Sequence, residues 1–249
     1  MGVVISILNN KGGVSKTTTA VNLGAALVTK GKTVLLIDFD PQHSLTSYLN
    51  VQTGGLSCAE MLLSSKAVQD YIIKTAEGFD IIPSSAKLSV TELDLTKIMM
   101  ARESVLKKRI APLMSKYDYI IIDNSPSLSL LVINALVASS HVLIPLEPDL
   151  LALKGLESVL ETIYEVQSNT GGSPVVLGVL ASKVDARIKH HQEIWTHVKN
   201  KYDTFNIVIK LSAQYKDAAL ASQSIMAYRP NSEHARAFDN LAEEVINRA

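Results

Sequence analysis

The chain has 249 residues, 47% of them apolar, with 24 basic and 24 acidic side chains and a formal net charge of zero. Residues 1–249 are therefore expected to form one domain with a large core, and no global basic field favours nucleic acid, so any such surface must be local. One cysteine, Cys58, excludes an internal disulfide and a Cys-x-x-Cys metal site, and is expected as a small buried side chain.

Met1-Gly2 leads directly into an apolar run with no basic leader or cleavage site, and no apolar run is long enough to cross a bilayer, so a cytoplasmic protein is expected. Val3-Val4-Ile5-Ser6-Ile7-Leu8 reads as a buried strand, and Ala20-Val21-Asn22-Leu23-Gly24-Ala25-Ala26-Leu27 has helical spacing. Between them, Lys11-Gly12-Gly13-Val14-Ser15-Lys16-Thr17-Thr18 form a glycine-bearing turn. Small residues let backbone N–H groups close around phosphate, and the helix N-terminus adds its positive dipole end. Lys16 can reach β- and γ-phosphates, and the Thr17 hydroxyl can ligate Mg²⁺. The dinucleotide fingerprint G-x-G-x-x-G is absent from residues 8–17. Position 15, where a phosphate loop usually carries glycine, is serine. If positive φ is required there, Ser15 is strained by about 1–3 kcal/mol and ATP binding is weakened or the loop tolerates it.

Val34-Leu35-Leu36-Ile37 reads as a second strand ending in Asp38-Phe39-Asp40-Pro41-Gln42. The two acids share one face of an extended segment, where a carboxylate can orient water or bind Mg²⁺ through water. Residues 41–58 read as loop, followed by a helix over 59–65 and short strands over 72–75 and 79–83. A helix over 103–116 leads to Tyr119-Ile120-Ile121-Ile122-Asp123, a strand buried on both faces whose terminal acid, Asp123, suits the Mg²⁺ hydration shell. Helices over 128–139, 150–167, 190–201, 216–223 and 233–247 alternate with strands over 141–145, 175–181 and 205–209. This alternation predicts an α/β fold: a doubly wound, mostly parallel sheet flanked by helices, with ligand at the carboxyl ends of the strands.

The K-G-G-V-S-K-T run resembles the deviant Walker A motif, K-G-G-x-G-K-[ST], of the ParA/Soj partition ATPases, MinD, the nitrogenase iron protein and the Mrp-type carriers. D-x-D-P-Q at Asp38–Gln42 is similar to ParA proteins in particular, and Tyr228-Arg229-Pro230 extends the likeness towards the chain end. The third motif departs from it: the family's D-T-P-P is here Asp123-Asn124-Ser125-Pro126. The resemblance implies a weak intrinsic ATPase using ATP and Mg²⁺, with residues 11–18 around the phosphates and Thr17, Asp40 and Asp123 at the metal. It implies that Lys11 crosses to a partner's nucleotide in an ATP-sandwiched homodimer and that Asp40 is required for hydrolysis. It further implies non-specific nucleoid DNA binding, a cargo such as a plasmid, chromosome or carboxysome, and a small ParB-like or adaptor protein that stimulates turnover.

Related proteins place arginines on DNA where this chain has none; nearby candidates are Arg187, Lys189, Lys199, Lys201, Lys210 and Lys216, with His190 and His191 beside them. Two copies in a dimer could form a phosphate-contacting stripe; a solvated helix face is the other reading. Lys183 and Asp185 follow a strand where related proteins contact the base; an ordinary strand-end salt bridge is the other reading. A MinD-like membrane switch is the alternative function, but the Phe238, Leu241, Val245 and Ile246 stripe is expected to pack on the domain rather than insert in lipid. A metabolic enzyme or cluster carrier is less favoured, given the D-x-D-P-Q run and the lack of cysteine pairs.

Overall fold

The computed structural model describes residues 2–185 and 187–249; Met1 and Ala186 lie outside the description. In chain order, β1 (Val3–Ile7) is followed by α1 (Lys16–Thr29), β2 (Val34–Phe39), α2 (Ser44–Tyr48) and α3 (Cys58–Leu63). Then come β3 (Ile73–Lys74), β4 (Asp80–Ile82), α4 (Leu88–Thr96), α5 (Val105–Ile110), β5 (Tyr119–Asn124), α6 (Leu130–Ala138) and β6 (His141–Leu146). The chain continues through α7 (Ala152–Asn169), β7 (Val175–Val184), α8 (Lys189–Lys201), β8 (Thr204–Lys210), α9 (Gln214–Leu220), α10 (Ile225–Tyr228) and α11 (Glu233–Arg248).

The strands form one eight-stranded sheet in the order β3-β4-β2-β5-β1-β6-β7-β8. Every neighbouring pair is parallel except the short β3–β4 edge. β2 and β5 are buried along their whole length. That is why they read as unbroken apolar runs rather than as alternation. On one face, Leu23 and Leu27 of α1 pack with Phe238, Leu241 and Val245 of α11. On the other, Met61, Leu106 and Leu131 cover Leu35, Ile37 and Ile120, while Leu156 of α7 and Trp195 of α8 cover the β6–β7 side. The doubly wound, mostly parallel sheet matches the expectation, and Cys58 is fully buried.

Four stretches differ from the sequence reading. The helix expected over 103–116 is a six-residue α5 flanked by 3-10 turns at Arg102–Ser104 and Ala111–Leu113. Pro112 sits in the second turn and has no N–H to carry an α-helix onward. α2 occupies part of the expected loop, and α4 was unforeseen because it mixes buried Leu88 and Leu95 with exposed Val90 and Leu93, leaving no clear stripe. β7 runs to Val184, three residues past its expected end, through a register shift against β8.

Candidate nucleotide site

The ends of β1, β2, β5, β7 and β8 open on one side of the sheet, where a cleft of about 510 Å³ runs between residues 12–18 and the start of α9. That volume is in the range of small-molecule sites. Within the loop, Gly13 has φ of +77°, a conformation that favours glycine. Ser15, at the N-cap of α1, has φ of +71° and ψ of +28°, and its hydroxyl makes no capping hydrogen bond. The positive φ considered from sequence is therefore present with serine in place. The first helical hydrogen bond runs from the Thr19 amide to the Ser15 carbonyl, which leaves the amides of Lys16, Thr17 and Thr18 outside the helical ladder.

Lys16 is buried and donates to the carbonyls of Asn9 (3.0 Å) and Lys11 (3.2 Å). Burial lowers its pKa, against the pull of Asp123 and Asp40. Thr17 Oγ1 donates to Asp123 Oδ2 at 2.7 Å, while Asp123 Oδ1 is buried without a partner. Burial, reinforced by Asp38, raises the Asp123 pKa to about 8. Asn124 follows it and donates to the carbonyls of Ile7 (3.1 Å) and Ile122 (3.2 Å), so the departure from D-T-P-P ties β5 to β1. Lys11 stands at the rim, paired with Asp149 and, at 3.7 Å, with Glu147. The hydrogen bond to Asp149 raises the Lys11 pKa.

Asp38 and Asp40 do different things, contrary to their shared-face reading. Asp38 is fully buried and its Oδ2 accepts from the Thr46 amide (2.8 Å) and hydroxyl (2.7 Å), organising α2. Burial raises its pKa to about 6. Asp40 lines the cleft beyond the strand end and accepts from the Gln42 amide at 2.9 Å.

The opposite wall carries Lys183, Lys210, Ser212, Tyr215 and Lys216. Lys183 thus lies in the cleft, whereas the Asp185 carboxylate is held by Arg187, the strand-end salt bridge. The six candidate DNA-contacting cations fall into two groups on one copy of the chain. Lys210 and Lys216 line the cleft, Lys210 also pairing with Glu233 at 2.7 Å. Arg187, Lys189, Lys199 and Lys201 lie along α8 and its entry, with Lys201 paired to Glu157 at 3.0 Å. His191 is buried, not solvated, and its Nδ1 accepts the Asp185 amide at 3.3 Å. Among the described residues no group of three or more His, Cys, Asp or Glu could hold a metal. No described helix is long and apolar enough to cross a membrane, and the apolar stripe of α11 is covered by α1 and β8. Sequence reading missed Glu147 and Asp149 as partners of Lys11; two acids just after a parallel strand were the available signal.

These residues fit a magnesium nucleotide. A glycine-turned loop, a buried lysine and a threonine hydroxyl meet an aspartate whose second oxygen is orphaned and whose charge burial opposes. A divalent cation supplies the charge that such a carboxylate lacks. Residues 2–173 match the family described as AAA domain, AAA_31. That span holds the phosphate loop, Asp40 and Asp123 but not Lys183, Lys210 or Lys216. Over 250 residues, covering 98% of each chain, the sequence is 39% identical to the sporulation initiation inhibitor protein Soj of Bacillus subtilis (strain 168). Over 252 residues it is 36% identical to the chromosome-partitioning ATPase Soj of Treponema pallidum (strain Nichols), covering 100% of this chain and 98% of that one. The crystal structure of a cobyrinic acid a,c-diamide synthase from Mycobacterium smegmatis, with bound ATP analogue and magnesium, superposes with a TM-score of 0.86 at 31% identity. It covers 99% of this chain and 95% of that one.

Proposed function

The chain belongs to the ParA/Soj family of P-loop ATPases, and from that premise we propose that residues 1–249 act as one ATP-driven switch domain that pairs with a second copy while ATP is bound and parts on hydrolysis. The observation that carries this reading is the separation of two lysines on one loop. Lys16 is buried at the base of the cleft, while Lys11 stands at its rim, engaged by Asp149 and Glu147. Residues 12–18 and Lys16 hold the phosphates in cis. The Lys11 pair is partly exposed, and such pairs are worth about 1 kcal/mol or less. Lys11 can therefore exchange Asp149 for a phosphate presented by the second protomer. Magnesium, held by Thr17 and Asp123 with Asp40 nearby, supplies neutralisation of phosphate charge. Asp40, at the cleft edge, orients the attacking water and accepts its proton.

Light scattering after size exclusion tests the pairing. With a non-hydrolysable ATP analogue and magnesium the protein is expected at twice the monomer mass, and with ADP at the monomer mass. A monomer in both conditions overturns the reading.

The same reading extends to a cytoplasmic, nucleoid-associated protein that positions a cargo. It binds duplex DNA without sequence preference, intrinsic turnover is slow, and a ParB-like or adaptor partner speeds it. Lys189 and Lys199, exposed on α8, are the leading phosphate contacts, because Arg187, Lys201 and Lys210 already face acids. A mobility-shift titration at low and high salt checks this. An ATP-dependent, salt-sensitive shift is expected; no shift at low salt sinks the DNA-binding step alone.

A further inference from the structure

We propose that Lys183 is a third lysine of the phosphate site, binding the phosphate chain in cis from the wall facing the loop. The inference deepens the ATP-site reading and rests on it. Four features of the structure converge on this residue. Lys183 has φ of +52°, although it is neither glycine nor in a turn but one residue from the end of β7. The β7–β8 register slips there: Ala181 faces Val208, yet Val184 faces Lys210, so β7 carries one extra residue. A bulge of this kind re-aims a side chain. Next to it, the Ser182 hydroxyl donates to the Val14 carbonyl at 3.0 Å, tying the bulge to the phosphate loop. The Lys183 ammonium ends 3.9 Å from where a β-carbon on Gly13 would stand, over the loop's left-handed turn.

A strained backbone held by neighbouring contacts is a common device for presenting a functional side chain. Here the side chain presented is a cation aimed into the cleft. No ion pair ties Lys183 to an acid among those found for the described residues, unlike Lys11, Arg187 and Lys210. With Lys11 turned outwards, the loop alone offers the phosphates one inward lysine, Lys16. Lys183 supplies a second positive charge from the other side. The sequence had suggested a base contact for it, and the position over Gly13 favours phosphate instead.

The test compares wild type with Lys183→Met, which keeps the aliphatic stem, and Lys183→Arg, which keeps the charge. Affinities are measured for magnesium ATP, for magnesium GTP and for inorganic tripolyphosphate, with circular dichroism to check the fold. Lys183→Met is expected to weaken all three by ~10-fold, since a charge-assisted hydrogen bond is lost in each, and Lys183→Arg to retain most of the affinity. Should Lys183→Met fail to fold, Lys183→Asn, whose residue type tolerates positive φ, takes its place. A loss confined to ATP, with tripolyphosphate unchanged, makes Lys183 a base contact and overturns the proposal. So does unchanged binding of all three. Wild type that binds neither ATP nor tripolyphosphate instead removes the nucleotide site itself.

Discussion

The two walls of the cleft meet the same ligand with different devices. On the loop wall, buried Lys16 is held by backbone carbonyls and half-buried Thr17 by the buried Asp123 carboxylate. On the facing wall, Lys183, Lys210 and Lys216 come from a bulge, a strand end and an exposed helix, and Lys210 leans on Glu233 of α11. The first wall is a strand–loop–helix unit whose geometry is local. The second exists only once β7 and β8 have paired in register. Loss of a group from the first wall should therefore abolish function, and loss from the second should tune it.

The strongest way to break this contrast is at Lys16. Lys16→Ala removes the only lysine at the base of the loop and is expected to weaken ATP by on the order of 100-fold, as removal of a buried charge-assisted contact does. The check is calorimetric titration with a non-hydrolysable analogue. A loss no greater than that from Lys183→Met would erase the distinction between the walls.

Asp40 comes next, because its effect should fall on rate rather than binding. Asp40→Ala is expected to lower kcat for hydrolysis by about 10²–10³-fold while ATP affinity stays within a few-fold. The ATP-bound pair should then accumulate. Measured turnover near wild type would move the water-orienting role elsewhere, and a variant that stays monomeric with ATP would count against pairing.

A third, smaller effect is set by pH. Burial raises the pKa of Asp123 to about 8 and of Asp38 to about 6, from 3.8 for both in the unfolded chain. Between those values the native protein holds protons that the unfolded chain has released. Stability therefore falls as pH rises from about 4 and levels off above the folded pKa values. In chelator and without nucleotide, the denaturation midpoint should drop between pH 5.5 and 8.5. Asp123→Asn should remove much of the slope and be the more stable protein at pH 8.5. Parallel pH profiles for the two proteins would show that Asp123 is ionised at neutrality without a metal.

What was legible in the sequence follows the same divide. Lys16, Thr17, Asp40 and Asp123 sit in contiguous motifs at the ends of apolar runs, so their convergence follows from a parallel sheet with one functional edge. The role of Asp38 was not legible. Two acids two residues apart look equivalent until Thr46 takes one of them into the core. Lys210 and Lys216 read as candidate DNA contacts, not as cleft residues, because only tertiary structure turns the start of α9 towards the loop. Lys183 reads as a base contact or a strand-end salt bridge, and not as a phosphate ligand, because a bulge has no signature in a run such as Leu180-Ala181-Ser182-Lys183.

The finest test concerns Ser15, where sequence suggested a weakened loop. A left-handed conformation costs a non-glycine residue about 1–2 kcal/mol, and Ser15 adopts it. Glycine there relieves that strain but loses about 0.4–1 kcal/mol through the greater freedom of the unfolded chain. Ser15→Gly should therefore stabilise the protein by ~0.5–1 kcal/mol, or roughly 1–4 °C in Tm for a chain of this size. ATP affinity should stay within about twofold, because an equilibrium constant registers only a strain that differs between free and bound states. Affinity within twofold would show that the free and bound loops share the left-handed turn at Ser15. A tenfold gain in ATP affinity for Ser15→Gly would mean that the bound loop is more strained than the free one, and that the loop wall must rearrange before it can hold phosphate.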